Sequence, residues 1–153
     1  MLFRSPKPVL DKLVLIKQAS DLHTSGLNQI VMHDVASTLI ERQAGALCQA
    51  YKARRDAMLA ALEAHMPPGV TWRRPEGGMF VWVTLPEEVD ATDLLRLAIA
   101  DARVAFVPGS GFYPDRSGQN HLRLSFSLND PARIDEGIRR LGTLLARFRE
   151  EAA

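Results

Sequence analysis

The sequence predicts an α+β fold in which a sheet is covered by helices and preceded by a helical segment. Three observations carry this. Apolar residues recur at helical spacing through the first third, the period falls to two from Val70 onward, and helical spacing returns from Pro131 to the end.

Pro8 opens the first segment, Val9 to Ser20, in which Leu10, Leu13, Val14 and Ile16 fall near one helical face. Asp21, His23, Thr24 and Ser25 can cap a second helix through Leu27, Ile30, Val31 and Val35, and Gly45 is expected to interrupt it. A third helix then places Leu47, Tyr51, Met58, Leu59 and Leu62 on one face, with Lys52, Arg54, Arg55 and Glu63 largely on the other. Met66-Pro67-Pro68-Gly69 ends it. "VTWRRP" reads as a short strand, and "MFVWVTL" as a stronger one, because β-branched and aromatic residues crowd it before Pro86. Asp90 with Asp93 three residues later resembles a capping arrangement for a helix from Ala91 to Ala102. "RVAFVP" is expected to be a further buried strand, so that strand, helix and strand form a crossover unit. "HLRLSFS" alternates strictly, with Leu122, Leu124 and Phe126 on one side and Arg123, Ser125 and Ser127 on the other. In the last helix Asp130 caps and Pro131 occupies the first turn. Ile134, Ile138, Leu141, Leu145 and Phe148 form its buried stripe, and Arg139, Arg140, Arg147 and Arg149 are expected to complement the carboxyl end of its dipole.

Composition narrows the function classes. With 46% hydrophobic and 24% charged residues the 153-residue chain resembles an ordinary globular protein. A formal charge of +1, from 19 basic and 18 acidic residues, gives no electrostatic reason to expect nucleic acid or an anionic membrane as partner. No apolar run reaches the length of a membrane span and no signal-peptide pattern opens the chain, so a cytoplasmic location is the expectation. The single Cys48 excludes an internal disulfide framework and is expected to be a small buried core residue.

Few residues offer chemistry by spacing alone. His23, His33, His65 and His121 lack metal-ligand spacing, so no metal is expected. Ser110 in "PGSGF" lacks the G-x-S-x-G arrangement of a nucleophile elbow. Gly77 and Gly78 in "EGGMF" mark a turn into a strand, or a place where a ligand approaches the backbone. Arg123 stands out because it projects from mid-strand between apolar neighbours, where a guanidinium needs a carboxylate or phosphate. Periodicity leaves open whether that partner is a protein carboxylate at a sheet edge or the carboxylate of a substrate.

Four stretches in order, Pro6 to Gln29, Arg73 to Pro86, Val104 to Tyr113 and His121 to Ser127, resemble the carboxyl-terminal portion of fold-type-I, pyridoxal-phosphate-dependent aminotransferases of class I/II. The pattern is close to that of the branch containing 2-aminoadipate and kynurenine aminotransferases. The resemblance implies a small domain with a short, mainly antiparallel sheet over residues 45–153. Residues 1–44 would be a helical remnant of the large domain, with the interdomain and dimer-interface segment. It implies amino acid and 2-oxo acid substrates, a homodimeric parent, pyridoxal 5'-phosphate as cofactor, and Arg123 as the partner of the substrate α-carboxylate. Leu22, His23, Thr24, Gly77, Gly78, Phe112 and Tyr113 would line the site. The same domain also occurs fused to a DNA-binding domain in bacterial regulators, and nothing here corresponds to that added domain.

The family's Schiff-base lysine lies in an S-x-x-K stretch that would precede Met1, and Lys7, Lys12, Lys17 and Lys52 lack that context. The expectation is therefore a fragment, from a truncated gene, a split reading frame or a partial chain. It would bind no cofactor and transfer no amino group by itself. The alternative expectation is a non-catalytic module that binds a small carboxylate or a partner chain.

Overall fold

The computed structural model describes residues 5–152 and divides into two units, Met1–Ala46 and Leu47–Ala153. In the first unit, α1 (Lys7–Ser20) has Pro8 in its opening turn, where a missing N–H is harmless. Asp21 and Leu22 donate their backbone N–H groups to the Lys17 carbonyl and close the helix. Leu22 follows with φ 61, a left-handed conformation uncommon for a bulky residue. The hydroxyl of Ser25 accepts from the Asn28 N–H at 3.4 Å and opens α2 (Gly26–His65). No described residue from 5 to 46 is buried. Apart from the half-buried Leu10, the apolar positions of the expected helical stripes, Val14, Ile16 and Ile30 among them, are exposed.

Helix α2 is continuous, so the expected break at Gly45 does not occur. One glycine costs a helix about 1 kcal/mol against alanine, and Ala44, Ala46 and Leu47 around it favour the helix. Cys48 is exposed, contrary to the expected core position. Its place on an apolar stripe shows which face could be buried, not that the described residues cover it.

The second unit holds the sheet, with β1 (Thr71–Trp72), β2 (Phe80–Thr84), β3 (Val107–Pro108) and β4 (His121–Ser125) in the order β1-β2-β4-β3. Every pairing is antiparallel. β2 and β3 therefore run the same way, as a crossover through α3 (Ala91–Leu97) requires, but β4 is inserted between them. The "RVAFVP" stretch contributes only Val107–Pro108 as strand; Val107 is exposed and Phe106 is buried. The Asp90 carboxylate accepts from the Thr92 N–H at 2.6 Å and caps α3. Its expected continuation is a π-helical turn over Ala98–Ala102, closed by Arg103 with φ 54.

Inward residues of β2 and β4, Val81, Val83, Leu122 and Leu124, with Phe126 just beyond β4, meet Met58 and Leu62 from the end of α2. Leu94 of α3 and Ile134, Ile138, Leu141 and Leu145 of α4 (Pro131–Ala152) complete the core. Full burial of each large side chain contributes about 1.5–3 kcal/mol. This inward set fixes the register, and a one-residue slip would turn Arg123 into the core. The α4 arginines do not act as one dipole-complementing group. Arg139 and Arg140 bind Glu136, Arg147 binds Asp101, and Arg149 binds Glu88 and the Pro68 carbonyl.

Candidate functional site

Alternation that buries Leu122 and Leu124 sends Arg123 to the opposite sheet face, where the register sets it beside Trp82. His121 lies on the same face opposite Thr84, and Ser125 lies opposite Phe80. The face is consequently aromatic around one cation. The Arg123 guanidinium carbon lies 4.0 Å from the Phe80 ring centroid and 4.9 Å from that of Phe112. Trp82 meets Phe112 edge-on at 5.3 Å and lies 6.4 Å from Tyr113, while Tyr113 stacks on His121 at 6.0 Å.

The loop that delivers Phe112 and Tyr113 is set by close backbone packing. Gly109–Phe112 forms a single 3-10 turn. A Cβ on Gly109 would sit 2.4 Å from the His121 Cβ, and one on Gly118, whose φ is +70, would sit 2.5 Å from the Tyr113 ring. Any side chain at either position would push the loop away from β4.

Two other arginines in this unit show what a satisfied guanidinium looks like. Arg54 donates to the carbonyl of Ser127. Arg55 donates to Asp56 Oδ1 through Nη2 at 2.7 Å and through Nε at 3.0 Å, and to the carbonyls of Pro75 and Glu76 through Nη1. The Arg55 hydrogen bond holds the Asp56 carboxyl below its ordinary range. Arg123 differs from both. Its Nε is buried without a hydrogen-bond acceptor, and among the described residues no carboxylate pairs with it. The His121 Nδ1 is buried without a partner in the same way. Among the described residues a sheet-edge ion pair, one of the two accounts periodicity allowed, does not form.

Of the sequence-predicted positions, Phe112 and Tyr113 join Arg123 on this face. Gly77 and Gly78 instead line a cleft of about 270 Å³ with Cys48, Tyr51, Lys52 and Arg55. An added Cβ would meet nothing within 4 Å at either glycine, and Gly78 has φ +82. Leu22, His23 and Thr24 belong to the first unit. There the Thr24 carbonyl accepts from the Gln29 side chain at 2.9 Å and lies 2.9 Å from His23 Nδ1. Phe80, Trp82 and His121 carry the face without having been singled out as site residues. Outward phase along their strands was their only sequence signal, and it becomes specific once β2 is known to lie beside β4.

The lysines offer no buried amine. Lys7, Lys17 and Lys52 pair with aspartates one helical turn on, at 2.9, 2.9 and 3.5 Å, with exposed side chains, and Lys12 is exposed. Among the described residues no cluster of three or more His, Cys, Asp or Glu could hold a metal, and no helix is long and apolar enough to cross a membrane.

Comparison with known proteins supplies the family. The family described as Aminotransferase class I and II matches residues 6–141. The chain is 43% identical over 136 residues to the 2-aminoadipate transaminase of Thermus thermophilus, covering 89% of this chain and 34% of that protein. It is 44% identical over 131 residues to aromatic-amino-acid aminotransferase 1 of Thermococcus litoralis, with coverages of 85% and 31%. Among solved structures it resembles the alpha-aminoadipate aminotransferase of Thermus thermophilus complexed with N-(5'-phosphopyridoxyl)-L-leucine. The TM-score is 0.81 at 40% identity, covering 95% of this chain and 37% of that one. With the multiple substrate aminotransferase of Thermococcus profundus the TM-score is 0.82 at 38% identity, with coverages of 95% and 36%. The chain thus spans about a third of the length of these relatives, and it belongs to the class I and II aminotransferase family.

Proposed function

We propose that this chain is the carboxyl-terminal part of an aminotransferase that moves an amino group from an amino acid to a 2-oxo acid. In this reading Arg123 receives the substrate α-carboxylate. Residues 1–44 correspond to the large-domain remnant and interface segment, and 45–153 to the small domain of a dimeric parent. The single observation that carries the reading is the state of Arg123: it is held by rings, and among the described residues no carboxylate binds it. A planar fork with free donors suits a carboxylate, which it can bind through two parallel charge-assisted hydrogen bonds.

The family implies pyridoxal 5'-phosphate, which supplies the electron sink for transamination when bound. The residues here do not fit that group. The face around Arg123 contains no lysine, and Lys52, the lysine of the second unit, is exposed and paired with Asp56. No step is therefore assigned through the cofactor. On its own the chain contributes carboxylate recognition and transfers no amino group.

Calorimetric titration of the 153-residue chain with pyruvate, a small 2-oxo acid, tests this. Arg123→Gln should lose about 10- to 150-fold in affinity, the range of a hydrogen bond to a charged group. Arg123→Lys should recover little, because an ammonium cannot present the fork. Equal binding by the parent chain and Arg123→Gln would contradict the assignment.

A further inference from the structure

We propose that Phe112 and Phe80 are positioning residues for Arg123, fixing the plane of its guanidinium so that its terminal nitrogens stay aimed and unoccupied. The proposal rests on the reading of Arg123 as a carboxylate receptor. A carboxylate can hold an arginine in place only by consuming its donors, as Asp56 does for two nitrogens of Arg55. A ring holds it through the face of the guanidinium and leaves the N–H edge available. Both rings lie within cation–π range, at 4.0 and 4.9 Å.

The two rings reach Arg123 from different elements. Phe80 comes from the neighbouring strand β2, and Phe112 from the 3-10 turn before the loop. Trp82, paired in register with Arg123, backs Phe112 edge-on at 5.3 Å. The Nε atom is buried without a hydrogen bond, so the ligand must be met by the two terminal nitrogens. A long, rotamer-rich side chain held this way loses less freedom when a carboxylate arrives. Phe112 as a residue is still 48% exposed, which is more than one serving only the core would show.

The test combines pyruvate titration with ¹⁵N relaxation of the Arg123 Nε–H group in the intact 153-residue chain. In the parent chain that group should be as ordered as the surrounding strand. In Phe112→Leu its order parameter should fall and pyruvate affinity should drop about 2- to 30-fold, the span of an exposed to a desolvated cation–π contact. Phe112→Tyr, which keeps a ring, should restore both. Should Phe112→Leu unfold, Phe80→Leu reads the same clamp from the strand side. If Phe112→Leu leaves order and affinity unchanged while Arg123→Gln weakens binding as above, the positioning role is overturned and the carboxylate assignment stands. If the parent chain and Arg123→Gln bind pyruvate equally, or neither binds it, the assignment falls and the positioning role with it.

Discussion

The same substitution at two glycines of α4 should move stability in opposite directions. At Gly142 an added Cβ would lie 2.2 Å from the carbonyl oxygen of His65 and 3.0 Å from its carbonyl carbon. Non-bonded carbon and oxygen are not stable at that separation, so the end of α2 and the middle of α4 must part by most of an ångström. Overpacking of this kind costs about 1–3 kcal/mol. The movement would also disturb the His65–Asp135 contact, 3.1 Å from Nε2 to Oδ1. At Gly137, five residues earlier on the same helix, the Cβ would meet nothing within 4 Å. Alanine there should stabilise by about 0.5–1 kcal/mol, because glycine loses more backbone freedom on folding. In a domain of about 100 residues, 1 kcal/mol shifts the melting temperature by roughly 4–8 °C. Thermal unfolding followed by circular dichroism should place Gly142→Ala at least about 4 °C below the parent chain and Gly137→Ala a few degrees above it. Equal melting temperatures for the two variants would refute the packing of α4 against the end of α2.

Two further outcomes follow from side-chain contacts. The Glu136 carboxyl is lowered to about 2 by its hydrogen bond to Arg139, then by that to Arg140. A carboxyl whose folded pKa lies below its unfolded value contributes stability that is complete above the ordinary carboxylate range. That contribution is lost as pH falls from there toward about 2. A ¹³C titration of the Glu136 carboxyl should show the depressed midpoint, and Glu136→Gln should flatten the acid limb of the stability profile. Asp90→Ala removes the acceptor of the 2.6 Å cap on α3 and should cost about 0.5–2 kcal/mol in urea unfolding, with Asp90→Ser recovering most of it.

What the sequence made legible follows the range of each interaction. The stripe of α4, the Asp90 cap and the alternation that turns Arg123 outward are local, and all three hold in the structure. Insertion of β4 between β2 and β3 depends on pairing between distant segments, which periodicity along one strand does not encode. The break expected at Gly45 failed because one glycine is a small cost against a run of good helix formers. Cys48 was misplaced because an apolar stripe specifies a face suited to burial without saying what covers it. The site divides the same way. Arg123 could be singled out from its own neighbours, whereas the places of Phe80 and Trp82 beside it emerge only from the register that lays β2 beside β4.

The central claim is that these residues provide carboxylate recognition without the cofactor's anchoring amine. Incubation with pyridoxal 5'-phosphate, borohydride reduction and peptide mapping by mass spectrometry test it most directly. The expected result is sparse labelling spread over Lys7, Lys12, Lys17 and Lys52, consistent with four exposed amines, and no amino transfer from an amino acid to pyruvate. Stoichiometric labelling of a single lysine, accompanied by transfer that disappears when that lysine is replaced, would contradict it.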